Sequence, residues 1–123
     1  MVTESGHTSA IRARKVIGTN VSDPSGRKIG EIEDVILDKQ SNNILFAVVG
    51  FGGFLGMAEK YHAVPWAMLD YDESLGAYRV EVTKEQLKAA PAGSIDELTR
   101  EDGLPFRDQA YEYYRTPRYW DSL

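Results

Sequence analysis

The chain has 123 residues, no cysteine and a formal net charge of -5. That length supports one domain able to bury its own core, and the missing thiols exclude disulfide staples, thiolate nucleophiles and thiolate metal sites. An acidic balance also argues against direct nucleic-acid binding, which draws on a surplus of basic residues.

Residues 1–10 hold Ser, Thr, Gly, Glu and His7 with little to bury, and read as a disordered N-terminal arm. Residues 1–14 lack the apolar core of a signal peptide. No apolar run approaches the roughly 20 residues that span a bilayer. A cytoplasmic protein without a membrane span is therefore expected.

From residue 13 the pattern turns strand-like, with Val16, Ile17 and Val21 apolar across residues 15–23. Asp23-Pro24-Ser25-Gly26 is a turn by its chemistry, since Pro presets φ and Gly accepts a positive one. Residues 27–38 alternate Glu31, Ile32 and Glu33 and predict a half-buried strand. Ser41-Asn42-Asn43 makes the next turn. Residues 44–51 are an apolar run of strand length, predicting a central strand covered on both faces.

The glycines of residues 50–56 break that strand. Residues 60–64 predict a further short strand that Pro65 ends, with Trp66 in the core beside it. Asp72-Glu73-Ser74-Leu75-Gly76 is a hairpin turn, and residues 77–82 put Tyr78, Val80 and Val82 on one face. Thr83 and Gln86 have the spacing of a capping box, so a helix over residues 84–90 should follow, anchored by Leu87 and ended before Pro91. A tail rich in Tyr and Trp completes the chain, with a helical turn at residues 108–115. Short strands with glycine-rich turns and one short helix predict a mainly β fold: a small antiparallel barrel with an extended aromatic C-terminal tail. Closure would hide its edge strands.

The run Gly26-Arg27-Lys28-Ile29-Gly30-Glu31-Ile32 within residues 25–38 resembles the opening hairpin of the PRC-barrel family. Tyr61-His62-Ala63-Val64-Pro65-Trp66 resembles its second hallmark. Residues 83–91 and the terminal Tyr113-Tyr114-Arg115-Thr116-Pro117-Arg118-Tyr119-Trp120 are similar to stand-alone bacterial members. The resemblance implies a PRC-type barrel over residues 11–90 and a C-terminal extension, residues 91–123, packed on that barrel or on a second copy. Family barrels in the photosynthetic reaction-centre H subunit and in a ribosome maturation factor imply a docking module rather than a catalyst.

The inventory for catalysis is thin. His62 is the one histidine outside the arm, and two histidines make no convincing zinc site. No catalytic residue, cofactor or metal ligand is assigned. Glu31, Glu33, Asp34 and Asp38 could hold a divalent cation beside His62, but a solvated acidic face is the simpler reading. Residues 50–56 lack the Walker spacing of a phosphate loop. The expected function is a non-enzymatic docking or adaptor module, self-associating as a homodimer, with a protein partner. Phe51, Phe54, Leu55 and Met57 on the glycine loop, with Tyr113, Tyr114, Arg118, Tyr119 and Trp120 in the tail, are the candidate interaction residues; the loop as a plug for one end of the barrel, and the tail as a wrap around its own barrel, are the alternative readings. The alternatives are a ribosome-assembly or RNA-processing accessory that binds a ribosomal protein, and a small-ligand or metal-binding barrel.

Overall fold

The computed structural model describes residues 10–51 and 60–122. The segment predicted as a strand over residues 15–23 divides in two. Ala13–Val16 form a single helical turn (α1), and Asn20–Ser22 form the strand β1. Only Val16 of α1 is buried, and it seats the turn on the core while Arg12, Arg14 and Lys15 stay in water. One apolar anchor per turn suits a helix; two faces of a strand would have had to bury a cation.

Asp23 builds the first tight turn. Its Oδ1 accepts from the Ser25 backbone N–H at 3.0 Å, the Ser25 hydroxyl at 2.6 Å and the Arg27 N–H at 3.0 Å. The Ser25 hydroxyl is the main reason its carboxyl is held below the ordinary range. The chain returns as β2 (Lys28–Leu37), antiparallel to β1, and turns at residues 38–43 into β3 (Ile44–Gly50). Next come β4 (Tyr61–Pro65), a 3-10 turn at Trp66–Met68, β5 (Asp70–Asp72) and β6 (Ala77–Arg79). Asp72 repeats the device of Asp23, accepting from the Ser74 N–H at 2.9 Å and the Ser74 hydroxyl at 2.6 Å.

The strands form one sheet in the order β5-β6-β1-β2-β3-β4-β7, where β7 is Ala92–Gly93. This corrects the predicted closed barrel. The sheet ends at β5 on one side and β7 on the other, and no pairing joins them among the described residues. Nor is it wholly antiparallel, because β6 lies parallel to β1, with Val21 opposite Tyr78. Closure needs edge strands long enough to share a ladder. At three and two residues these are too short, and shortness is itself a defence against edge pairing.

The helix α2 (Lys84–Ala89) carries the predicted capping box: the Gln86 N–H donates to the Thr83 hydroxyl at 3.0 Å and the Thr83 N–H to Gln86 Oε1 at 2.8 Å. Leu87 is fully buried. The single predicted helix and extended tail are corrected too. Ser94 and Glu97 form a second capping box, both bonds 3.1 Å, which starts α3 (Ile95–Thr99). After a 3-10 turn at Arg100–Gly103, α4 (Leu104–Tyr113) runs for ten residues with Pro105 in its first turn, and a last 3-10 turn spans Tyr119–Ser122. We call residues 104–122 the arm.

Two cores result. The first joins Val21, Ile32, Val49, Phe51, Val64 and Leu87 on one side of the sheet. The second joins Phe46, Val48 and Ala63 to Leu98, Ala110 and the partly buried Trp120. β3 is therefore covered on both faces, as its unbroken apolar run predicted. No helix among the described residues is long and apolar enough to cross a membrane.

Candidate functional site

His62 sits on β4 opposite Val49 of β3 and Ala92 of β7. It is 1% exposed. Its ring meets the edge of Phe51, centroids 5.5 Å apart, and neither ring nitrogen has a hydrogen-bond partner among the described residues. Burial, with a smaller push from Lys60, lowers its pKa to about 4. The ring is thus neutral at physiological pH and buried. A general base must reach the proton it takes, and this one faces hydrocarbon.

The acidic stretch is divided among separate tasks. The register shifts between Ile32 and Asp34 on β2, which makes Glu33 the extra residue of a bulge and interrupts the alternation that would stack it on Glu31. Glu31 takes Lys28 Nζ at 2.7 Å. Asp34 accepts from the Val35 N–H at 2.8 Å. Asp38 accepts from the Ser41 hydroxyl at 2.7 Å and the Tyr119 hydroxyl at 3.1 Å; the Ser41 bond is the leading cause of its lowered pKa. Among the described residues no three His, Asp or Glu side chains gather as a metal site would require.

The candidate interaction residues part company. Phe51 is 1% exposed and belongs to the first core, which corrects its assignment as an interaction residue and favours the interior reading for this position. It continues the inward parity of Ala47 and Val49, so the strand face extends one residue past the glycine that marks its end. Phe54, Leu55 and Met57 lie outside the described residues, as does the arm of residues 1–10 except Ala10.

The tail residues engage their own chain. The Tyr111 hydroxyl donates to the Leu45 carbonyl at 2.6 Å from a buried position, and burial pushes its pKa up to about 12. The Tyr113 hydroxyl donates to the Gln86 carbonyl at 2.6 Å, and its ring meets Tyr114 edge-on at 4.9 Å. Burial also drives the Tyr114 phenol upward. Trp120 packs edge-on to Tyr111 at 4.6 Å and to Tyr119 at 5.3 Å. Arg107 and Arg118 lie over its indole at 4.3 and 5.4 Å, and Asp108 pairs with both, at 3.0 and 3.5 Å. Aromatic and charged side chains that resembled a binding patch thus fasten the arm to the sheet.

An apolar surface is left elsewhere. On the open β5 edge Tyr71 is 45% exposed, and Leu75, in the turn that follows, is 44% exposed. Tyr71 leans edge-on against the buried Tyr78 at 5.0 Å, so its ring is held in place rather than free. Asp70 and Glu73 flank it in water, and Asp72 pairs with Arg79 at 3.4 Å. Sequence reasoning passed over this edge because a closed barrel would have hidden it. Trp66, read as core, is partly buried and packs on Tyr78 at 5.1 Å.

The family model of the PRC-barrel domain matches residues 9–87. No curated protein matches the chain.

Proposed function

The chain belongs to the PRC-barrel family, and from that premise we propose that it is a non-enzymatic, self-associating docking module whose β5 edge receives a protein partner. The open edge carries this reading. A sheet edge offers unpaired N–H and C=O groups to an incoming strand, and here a fixed aromatic ring and a leucine lie beside it. Asp70 and Glu73 flank these groups with negative charge. Complementarity therefore favours an extended, basic segment. The same chemistry fits the alternative of a basic ribosomal protein as partner.

Supporting the non-enzymatic part, the one described histidine is sealed in the core, and Asp23, Asp38 and Asp72 spend their carboxylates on turns. The test is Tyr71→Glu with Leu75→Glu. Both residues are partly exposed, so the double variant should still fold, losing about 1–2 kcal/mol with the Tyr71–Tyr78 ring contact. Capture of a specific protein from native lysate should fall more than about tenfold, because a glutamate at each position repels nothing basic but removes the apolar contact and its ring. Capture that persists at full strength in the folded double variant would contradict the proposal.

A further inference from the structure

We propose that two copies of this chain exchange their C-terminal arms, residues 104–122 of each completing the second core of the other. The proposal deepens the self-association named above and rests on it. Its observation is the hinge. Glu101 (φ 51°, ψ 42°), Asp102 (φ 56°, ψ 27°) and Gly103 (φ 83°, ψ 0°) stand in succession in the left-handed region. Only glycine occupies that region without penalty; Glu and Asp do so at a cost that the surrounding structure must over-determine.

What holds the hinge there is the arm. Three residues reverse the chain between α3 and α4 so that Ala110 and Tyr111 reach the sheet. Tyr111 must meet the Leu45 carbonyl, and Tyr119 must meet Asp38. Each of those contacts joins the arm to the body, and none depends on which copy supplies the arm. If the hinge extends instead of folding back, the arm reaches the same surface on a second molecule. Every arm-to-body contact is then kept, and Glu101 and Asp102 leave the left-handed region in both copies. A short connection under strain between a packed arm and its dock is the arrangement that favours such an exchange. Glu101 and Asp102 are exposed, so what opening costs at the hinge is the burial of Gly103 beside Phe46 and Ile36.

The test is sedimentation equilibrium on the full chain and on Glu101→Gly/Asp102→Gly, over about 10 µM to 1 mM. The parent should dimerise in that range. Glycine tolerates the left-handed hinge, so the double variant should hold its arm in cis and weaken dimerisation at least ~100-fold, two residues being relieved in each of two hinges. Asp102→Asn, a milder change in the same direction, should weaken it less. Mixed, differently tagged parent dimers should form heterodimers only slowly, since exchange requires an arm to undock. A parent dimer whose dissociation constant is unchanged in the glycine variant overturns arm exchange and leaves self-association standing. A parent that stays monomeric throughout overturns both. Partner docking at the β5 edge stands or falls separately, on the Tyr71 and Leu75 variant.

Discussion

Lowering the pH from 6.5 to about 4 is expected to remove on the order of 3 kcal/mol of folding stability through His62 alone. The sign follows from the two states. In the unfolded chain the imidazole takes a proton near its ordinary value of 6.5; in the folded chain burial keeps it neutral down to about 4. Above pH 6.5 both states are neutral and stability is complete. Between the two values only the unfolded state binds the proton, so stability falls as the pH drops, and below the folded value the loss levels off. Solvent screening offers little relief, because the residue is almost wholly buried.

The carboxylates act in a different window. Asp23, Asp38 and Asp72 are lowered from 3.8 and Glu97 from 4.5, chiefly by hydrogen bonds from neighbouring Ser groups. Their contributions are present above those ordinary values and are lost as the pH falls beneath them. Urea midpoints collected from pH 7.5 to 4.5 therefore isolate the histidine. His62→Leu should erase the slope. At pH 7.5 it should be neutral or stabilising, since both ring nitrogens it removes lack partners. A wild-type curve that is flat across this window would show that the imidazole is hydrated or paired in solution.

Gly103→Ala is the second large effect, expected at about 2–4 kcal/mol. Two costs combine. The residue has φ +83°, where a Cβ is strained, and that Cβ would lie 2.9 Å from Phe46 Cζ, 3.1 Å from Ile36 Cγ1 and 3.2 Å from the Leu98 carbonyl oxygen. The aromatic ring is fully buried and the carbonyl is backbone, so neither gives way easily. Gly76→Ala separates the two costs. It shares the positive φ, at +62°, but no atom lies within 4 Å of its Cβ position. It should cost only about 1 kcal/mol, the conformational part. Equal losses at the two positions, read by thermal or urea unfolding, would show that the turn at Gly103 does not press on Phe46 as the packing requires.

Features governed by neighbours a few residues apart could be read from the chain. The Asp23 turn and the Thr83 capping box form from local donors and acceptors, and both stand as read. The doubly covered β3 was visible as an apolar run too long to leave a face in water. Features set by distant partners could not be read. The parallel pairing of β6 with β1 and the failure to close depend on strand lengths that no local pattern specifies.

The arm falls between these cases. Ser94 and Glu97 have the same spacing as Thr83 and Gln86, a usable helix signal that the nearby proline and glycine obscured. For Tyr119 and Trp120 the sequence left open whether they cover their own barrel or a second copy, because aromatic content does not say whose surface is covered. That choice is made by the Leu45 carbonyl and the Asp38 carboxylate, 66 and 81 residues away along the chain. Phe51 was legible in principle, by carrying the parity of Ala47 and Val49 one step further.

The arm beyond the family match completes the second core, through Ala110 and the partly buried Phe106, Tyr119 and Trp120, and is not an appendage. Two tryptophans make it directly measurable, since Trp66 packs on the first core and Trp120 on the second. Trp120→Phe leaves Trp66 as the sole indole reporter, and Trp66→Phe leaves Trp120. Each variant should be unfolded in urea and followed by fluorescence beside the far-ultraviolet signal of the same sample. In both, the indole and the backbone should lose structure in one coincident transition, as a single cooperative unit does. A Trp120 signal that melts well before the backbone would mean that the arm only rests on a sheet able to stand without it.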